Sequence, residues 1–334
     1  MNELPVYGNS SANFSYTRKS QPSEVYLVPY FFTACLLILT ACGNLLVIIS
    51  IAHFKQLHTS TNILILSLAF ADFLIGIFAI PFMIIKTIEN CWRFGKIFCF
   101  VYNLLTFQLT SVSVSNLVFI AADRYVAVCD PLHYSSKITV QVSGLFIALS
   151  WVFSLFYTLG IVCLSVTDTS EGQDGCENNC FVVVDAVFVI VDAVITFVLP
   201  CSTMVILYLK IFIVAKRHAK VIDCKKQQDG KDGKRNISKK SERKAAKTLG
   251  IVMGAFLFCW APYFISGLTE VLINITVPTI LKNIFIWLAY FNSCMNPIIY
   301  ALFYPWFQKS LKLIITFKIL STDSSLVNLI SENQ

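Results

Sequence analysis

Charged side chains are scarce in this sequence. Asp, Glu, Lys and Arg make up only 13% of its 334 residues, while 56% of the residues are hydrophobic. A soluble domain carries about 25% charged residues, so this composition excludes an ordinary soluble protein. The sequence also lacks an internal repeat, which disfavours an inverted-repeat transporter. It lacks metal-binding, catalytic-triad and nucleotide-binding motifs, so an enzyme is not expected.

Seven apolar segments are each long enough to cross a membrane, which takes about 20 residues. We therefore predict an all-α membrane protein with a bundle of seven transmembrane helices at 26–303. An extracellular N-terminus at 1–25 precedes the bundle, and a short amphipathic helix and cytoplasmic tail follow at 304–334. The segments lie near 26–51, 61–87, 97–129, 140–165, 184–214, 246–273 and 279–303.

Basic residues set the predicted orientation. Thirteen of the 26 Lys and Arg residues lie between Lys216 and Lys247, so the loop at 215–245 is predicted to be cytoplasmic. Seven crossings then place the N-terminus outside, where Asn9 and Asn13 are acceptors for glycosylation. The basic loop has no interleaved aromatic residues, and its charge is explained by topology without a nucleic-acid partner. Of the twelve cysteines, four are extracellular and allow three disulfide pairings, namely Cys91, Cys99, Cys176 and Cys180.

One acid is isolated in the fifth segment, VFVIVDAVITFVLP at 187–200. At membrane depth an Asp costs about 2.5–3.5 kcal/mol on insertion scales, so Asp192 should face a partner, a cavity or water. Two interpretations remain open at this point. Asp192 either supports a helix–helix contact or serves as the counter-ion of a cationic ligand, and its isolation favours the ligand.

Seven motifs lie in order, one on each segment: Gly43-Asn44, LAFAD ending at Asp72, Asp123-Arg124-Tyr125, Trp151, Pro200, FLFCWAP with Trp260 and Pro262, and Asn296-Pro297-Ile298-Ile299-Tyr300. Together they resemble the rhodopsin-like G-protein-coupled receptors. The stretches NSCMNPIIYALFYPWF at 292–307 and CWRFG at 91–95 resemble trace amine-associated receptors, a vertebrate family that detects amines, mostly in olfactory neurons.

The resemblance implies a plasma-membrane receptor for small amines that signals through a stimulatory or olfactory G protein to cAMP. It also implies a disulfide between Cys99 and Cys180. Most amine receptors carry an Asp eighteen residues before the Arg of the Asp-Arg-Tyr motif, and counting back from Arg124 gives Thr106. Asp192 is therefore predicted to bind the ammonium instead, as inferred for fish members with an acid at this place.

The rest of the predicted ligand site surrounds Asp192. Aromatic faces attract alkylammonium ions, although the same rings could simply fill the bundle. Asp185 and Glu270 are predicted at the outer mouth, as solvated rim charges or as groups that attract cations. The remaining ligand-binding residues are predicted to be Thr106, Phe107, Thr110, Trp260, Tyr263, Phe264, Trp287 and Tyr290.

The resemblance also implies a signalling apparatus. Arg124 and Glu242 would tie two helices together at rest, Pro262 would be a hinge, and Tyr208 and Tyr300 would swing inward. The sequence leaves two alternatives, a rhodopsin-like receptor for a non-amine ligand and a transporter or channel. An allosteric sodium ion is predicted at Asp72, Ser113, Asn292 and Asn296, and the switch also includes Asp123, Tyr125, Asn296 and Pro297.

Overall fold

The chain is a bundle of long helices in the computed structural model, which describes residues 23–89, 92–164, 180, 185–229, 235–321 and 324–329. Seven of the described helices are long and apolar enough to cross a membrane, and they confirm the predicted fold class. The main helices are α1 (Ser23–His53), α2 (60–89), α3 (Gly95–Cys129), α4 (Val140–Leu164), α5 (186–229), α6 (Arg235–Ile273), α7 (Thr279–Phe303) and α8 (Pro305–Ile315).

The outer surface of the bundle is apolar. Phe156, Phe212 and Phe258 lie on α4, α5 and α6 with 70%, 62% and 68% of their surfaces exposed. Soluble proteins rarely expose a contiguous apolar surface of this kind, so these side chains face lipid. The predicted multi-pass membrane location agrees with this surface.

Most of the basic segment at 215–245 is helical. The backbone of α5 continues to residue 229 and that of α6 begins at residue 235, so the predicted loop is shorter than expected. Lys, Arg, Ala, Gln and Glu dominate these extensions and are good helix formers, which lets both helices continue past the apolar core.

The extracellular side is marked by a disulfide. Cys99, in the second turn of α3, is bonded to Cys180, which confirms the pairing implied by the resemblance. Disulfides persist outside the cell, so this end of α3 is extracellular and the N-terminus of α1 lies on the same side. Asn9 and Asn13, like Cys91 and Cys176, lie outside the described residues.

Polar contacts join α3 to its neighbours. The side-chain amide of Gln108 donates to the backbone oxygen of Trp151 at 3.0 Å, and Ser111 and Ser154 share a hydrogen bond of 2.9 Å. The Trp151 indole in turn donates to Ser67 on α2 at 3.2 Å. Such bonds satisfy polar groups that lipid would leave unpaired, and they fix α3 between α2 and α4.

Two of the described helices contain wide π-helical turns. α2 has them at Ile75–Ala79 and Ile85–Glu89, and α5 has one at Ala193–Val198. The turn in α5 starts directly after Asp192 and ends before Pro200, which has no N–H to donate to the carbonyl four residues earlier. A π-turn inserts an extra residue into an α-helix, and such turns are frequent at functional sites. The turn after Asp192 therefore changes the direction in which the residues before it face, relative to a regular helix.

The chain after α8 folds back onto the cytoplasmic end of α1. Leu329 is buried against Phe54 and Leu57, and its backbone N–H donates to the Gln56 side chain at 2.8 Å. Ser324 and His53 are 2.9 Å apart, joined by a hydrogen bond. The predicted cytoplasmic tail thus includes a docked segment.

The close contact between α1 and α7 gives the first prediction. A Cβ built on Gly43 would lie 2.8 Å from a ring carbon of Pro297, which is too rigid to move aside. Gly43→Ala should therefore overpack this contact at a cost of about 1–3 kcal/mol and lower the melting temperature of detergent-solubilised receptor by several degrees. Gly144→Ala on α4 is the control, because nothing lies within 4 Å of its Cβ. Equal melting temperatures for the two variants would contradict the prediction.

Candidate ligand-binding site

A cavity of about 220 Å³ lies between the helices. Its α3 lining runs from Tyr102 to Ser111, in the half of that helix nearest the Cys99–Cys180 disulfide, so the cavity belongs to the extracellular half of the bundle. It brings together eight of the nine predicted ligand-binding residues: Thr106, Phe107, Thr110, Asp192, Trp260, Tyr263, Phe264 and Tyr290.

Asp192 is partly buried in the lining of this cavity and is held by two hydroxyl groups. The Tyr157 phenol on α4 donates to Oδ1 at 2.8 Å, and the Thr196 hydroxyl approaches the same oxygen at 3.4 Å. Thr196 also donates to the Asp192 backbone oxygen at 2.7 Å. None of the described hydrogen bonds uses Oδ2, and none of the described ion pairs includes Asp192, so one oxygen is available to a ligand.

The two interpretations of Asp192 are therefore compatible. The bond from Tyr157 is a contact between α4 and α5. The same carboxylate lines the cavity, where an ammonium would find it. A carboxylate oriented by protein donors and open on one side suits the binding of a cation.

Aromatic rings form a wall of the cavity on α5 and α6. Phe264 stacks on Phe197 with ring centroids 4.8 Å apart, and it lies 5.9 Å from Trp260 and 5.3 Å from Tyr263. The buried Trp260 indole nitrogen has no hydrogen-bond partner among the described residues. The ring contacts show that these residues fill space between α5 and α6. The same rings line the cavity, where a ligand would meet their aromatic faces and the N–H of the Trp260 indole.

Trp287 is the one predicted ligand-binding residue that the structure does not bring into the lining of the cavity. It packs instead against the apolar cluster that contains Leu36 and Ile75. Ile286, one residue earlier, does line the cavity. Successive residues on a helix point about 100° apart, so neighbouring positions of α7 face different sides.

The predicted mouth acids differ in their surroundings. Glu270 is bonded to Lys282 at 2.7 Å and accepts the Val277 backbone N–H at 2.8 Å, so its charge is already compensated. Asp185 is exposed at the residue before the first turn of α5, and its side chain makes no capping hydrogen bond there. The structure brings neither acid into the cavity lining.

Among the cavity residues that the sequence analysis did not predict, three have polar or charged groups that bear on the site. Tyr157 and Thr196 hold Asp192, and Lys86 lines the cavity from α2. The signal for Lys86 was present, since it is an isolated basic residue at the end of an apolar segment. Tyr157 gave no such signal, because one tyrosine among apolar residues is ordinary.

The polar cluster at Asp72 differs by one residue from the prediction. Asp72 is fully buried and accepts from Ser113 at 3.0 Å, Ser293 at 2.9 Å and Asn296 at 2.7 Å. Asn292 is buried as well, but the hydrogen bond from this part of α7 comes from Ser293. The carboxylate is thus surrounded by donors from α3 and α7.

At the cytoplasmic end of α3, Asp123 accepts hydrogen bonds from Thr61 at 2.6 Å and Tyr134 at 2.8 Å, and Arg124 lies 3.7 Å away. Tyr125 faces Lys210 of α5, whose ammonium is 5.7 Å from the ring centroid. These contacts anchor the motif to α2, α5 and the short helix Pro131–Lys137.

The other predicted switch residues lie in separate parts of the bundle. Tyr208 packs against the cluster around Phe256, and the buried Tyr300 lies in a separate cluster with Val47. Pro262 lies inside α6. The Glu242 side chain lies outside the described residues, so its pairing with Arg124 stays a prediction.

Comparison with known proteins identifies the family. The family model of the 7 transmembrane receptor (rhodopsin family) matches residues 43–300. Trace amine-associated receptor 13c from Danio rerio is 46% identical over 325 residues, which are 96% of this chain and 94% of that protein. Trace amine-associated receptor 4 from Mus musculus is 42% identical (95% and 93%), and trace amine-associated receptor 1 from Homo sapiens is 38% identical (96% and 96%). The chain therefore belongs to the trace amine-associated receptors, within the rhodopsin family of seven-transmembrane receptors, and is not an enzyme.

Proposed function

We propose that this receptor is activated by a small amine whose ammonium group binds Asp192. The observation that carries the proposal is the position of Asp192, which is the one acid among the described residues that line the cavity. One of its oxygens is oriented by Tyr157, and the other is unused by any described hydrogen bond. The names of the related trace amine-associated receptors agree with an amine ligand.

The cavity suits the rest of an alkylammonium ion. Trp260, Tyr263 and Phe264 present aromatic surface, and an ammonium over such a face gains about 2 kcal/mol or more when both are desolvated. Thr106, which stands where most amine receptors carry an acid, offers only a neutral hydroxyl. The charge of the ligand is therefore compensated from α5 rather than from α3.

The cluster at Asp72 supports the proposed allosteric sodium ion. A buried carboxylate beside the hydroxyl oxygens of Ser113 and Ser293 offers the hard oxygen ligands that such cations take. These three residues would hold the ion, with Asn296 as a hydrogen-bond donor to the carboxylate. The bound ion would supply a positive charge to a carboxylate that is fully removed from water.

Signalling is proposed to run through a stimulatory or olfactory G protein to cAMP. In the resting state Arg124 would pair with Glu242, and activation would move the lower part of α6 about Pro262, where the helix lacks a backbone hydrogen bond. A ligand shifts this equilibrium only through its different affinities for the two states. The family membership and the position of Arg124 at the cytoplasmic end support this scheme.

The test compares n-alkylamines with the n-alkyl alcohols of the same length in cells that carry a cAMP reporter. Amines should raise cAMP only in receptor-expressing cells, and the alcohols should be inactive because they bring no charge to Asp192. A receptor activated equally by alcohols would show that Asp192 binds a hydroxyl and that the ligand is not an amine. Flux of labelled amine across the membrane without a cAMP response would instead indicate a transporter.

A further inference from the structure

Thr196 stands beside the Asp192 carboxylate in the lining of the cavity. Its hydroxyl oxygen lies 2.7 Å from the backbone oxygen of Asp192 and 3.4 Å from Oδ1. A hydroxyl group has one hydrogen to donate and two lone pairs with which to accept. Because the shorter contact is the one with hydrogen-bond length, the hydrogen goes to the backbone oxygen. The lone pairs of Thr196 are left, and no hydrogen bond in the described part of the chain donates to them.

The wide turn of α5 holds this hydroxyl in place. Thr196 lies within the turn at Ala193–Val198, where the backbone N–H of Leu199 bonds to the oxygen of Val194, five residues earlier. A Thr side chain can bond back to the carbonyl four residues before it, and here that carbonyl belongs to Asp192. The bond ties Thr196 to the residue whose carboxylate it flanks, so the hydroxyl oxygen cannot rotate away without losing it.

The carboxylate and the hydroxyl together form a site with two acceptors. Oδ2 of Asp192 accepts no described hydrogen bond, and the Thr196 oxygen lies 3.4 Å from the other carboxylate oxygen. An N–H···O bond is about 2.9 Å long, so one nitrogen can reach two oxygens at this separation. A ligand nitrogen in this place donates one N–H to the carboxylate and a second N–H to Thr196.

We propose that the receptor selects primary amines over tertiary and quaternary amines, and that Thr196 makes the distinction. The inference rests on the proposed amine site and names the class of amine that fits it. A primary ammonium has three N–H groups and satisfies both acceptors. A tertiary ammonium has one N–H, which the carboxylate takes, so that an N-methyl group meets the Thr196 oxygen. A quaternary ammonium has no N–H and brings only its charge.

The cost of leaving water makes the number of N–H groups decisive. A primary ammonium is compact and strongly hydrated, so protein acceptors must replace its water when it enters the cavity. Hydrogen bonds that involve a charged group are stronger than neutral ones, which gives the second acceptor its weight. Aromatic faces act in the opposite direction, because they attract methylated ammonium ions without hydrogen bonds. The described contacts of the Asp192 carboxylate are with hydroxyl groups, so the ammonium meets oxygen acceptors there and not a cage of rings.

The experiment measures cAMP dose–response curves for the primary, N-methyl, N,N-dimethyl and N,N,N-trimethyl amines of the same n-alkyl chain, over a range of chain lengths. All four carry a positive charge at neutral pH, so they differ in their N–H and methyl groups. In wild-type receptor the primary amine should be about 10-fold or more as potent as the dimethyl compound, which is the effect of one hydrogen bond to a charged group. Thr196→Val keeps the shape of the side chain and removes the hydroxyl. It should lower the potency of the primary amine and leave that of the dimethyl compound, so that most of the ratio is lost.

Two variants control for the hydroxyl and for the helix. Thr196→Ser keeps a hydroxyl group and should keep the preference for the primary amine. Thr269→Val on α6 removes the same kind of bond, from the Thr269 hydroxyl to the Ile265 backbone oxygen at 2.7 Å, at a residue that does not line the cavity. It should leave all four curves unchanged. Surface expression is measured by an epitope tag, and only receptors at equal surface density are compared.

The outcomes separate this inference from the amine proposal. If the dimethyl or trimethyl compound is at least as potent as the primary amine in wild type, the inference is overturned and the amine site stands. The same holds if Thr196→Val weakens all four amines equally, because Thr196 would then only orient Asp192. If none of the four compounds activates the receptor at any chain length, the amine proposal falls and this inference falls with it.

Discussion

Asp192→Asn is expected to lower the potency of an activating alkylamine by about 30-fold or more. The substitution keeps the shape of the side chain and removes its charge, so the ammonium would enter the cavity without compensation. Truncating one partner of a buried, hydrogen-bonded charge pair costs about 2–5 kcal/mol. Each 1.4 kcal/mol is about a factor of 10 in affinity, which gives the expected loss. The measurement is a cAMP dose–response curve at matched surface expression.

Thr106→Ala is the matched control within the same cavity. A neutral hydrogen bond contributes only about 0.5–1.5 kcal/mol, so this variant should lose no more than about 10-fold in potency. The order of the two losses is the test. If Asp192→Asn reaches the surface and responds like wild type, the amine is held elsewhere. Asp185 would then be the next candidate, because Glu270 already pairs with Lys282.

The membrane made most of the fold predictable. A spanning backbone must satisfy its own hydrogen bonds, so apolar length translates directly into helices, and the seven predicted segments match the seven described helices closely. Asp192 was detectable for the same reason, since an acid at membrane depth is expensive. The basic segment at 215–245 was less predictable, because no apolar boundary marks where a polar helix stops.

The sequence predicted those residues of the cavity that can be chosen from their position within one helix, and not the contacts between helices. The sequence analysis selected Asn292 by resemblance and Trp287 as an aromatic residue of the seventh segment. The rotation of α7 instead turns Ser293 to Asp72 and Ile286 to the cavity. The wide turn after Asp192 was not predicted from the sequence either. Contacts between helices depend on packing that a single segment does not encode, which is why the partner of Asp192 on α4 was missed.

That partner gives the second large effect. Tyr157→Phe is expected to lower alkylamine potency by roughly 10-fold, because hydrogen bonds to charged groups contribute about 1.5–3 kcal/mol. The lost phenol donates to Asp192 Oδ1 at 2.8 Å and fixes the direction in which the carboxylate meets the ligand. The phenyl ring keeps the stack on Phe153, whose centroid is 6.1 Å away, so the packing of α4 is preserved.

Tyr102→Phe is the control, since it removes a phenol from the same cavity that bonds Ala79 and Met83 instead of Asp192. Tyr157 is a positioning residue, so its effect should depend on the carboxylate. In the Asp192→Asn background Tyr157→Phe should cause little further loss, whereas independent contributions would add. Additive losses would contradict the positioning role. The loss should also be the same fold for alkylamines of every chain length, because the phenol acts on the carboxylate that binds the ammonium and not on the tail.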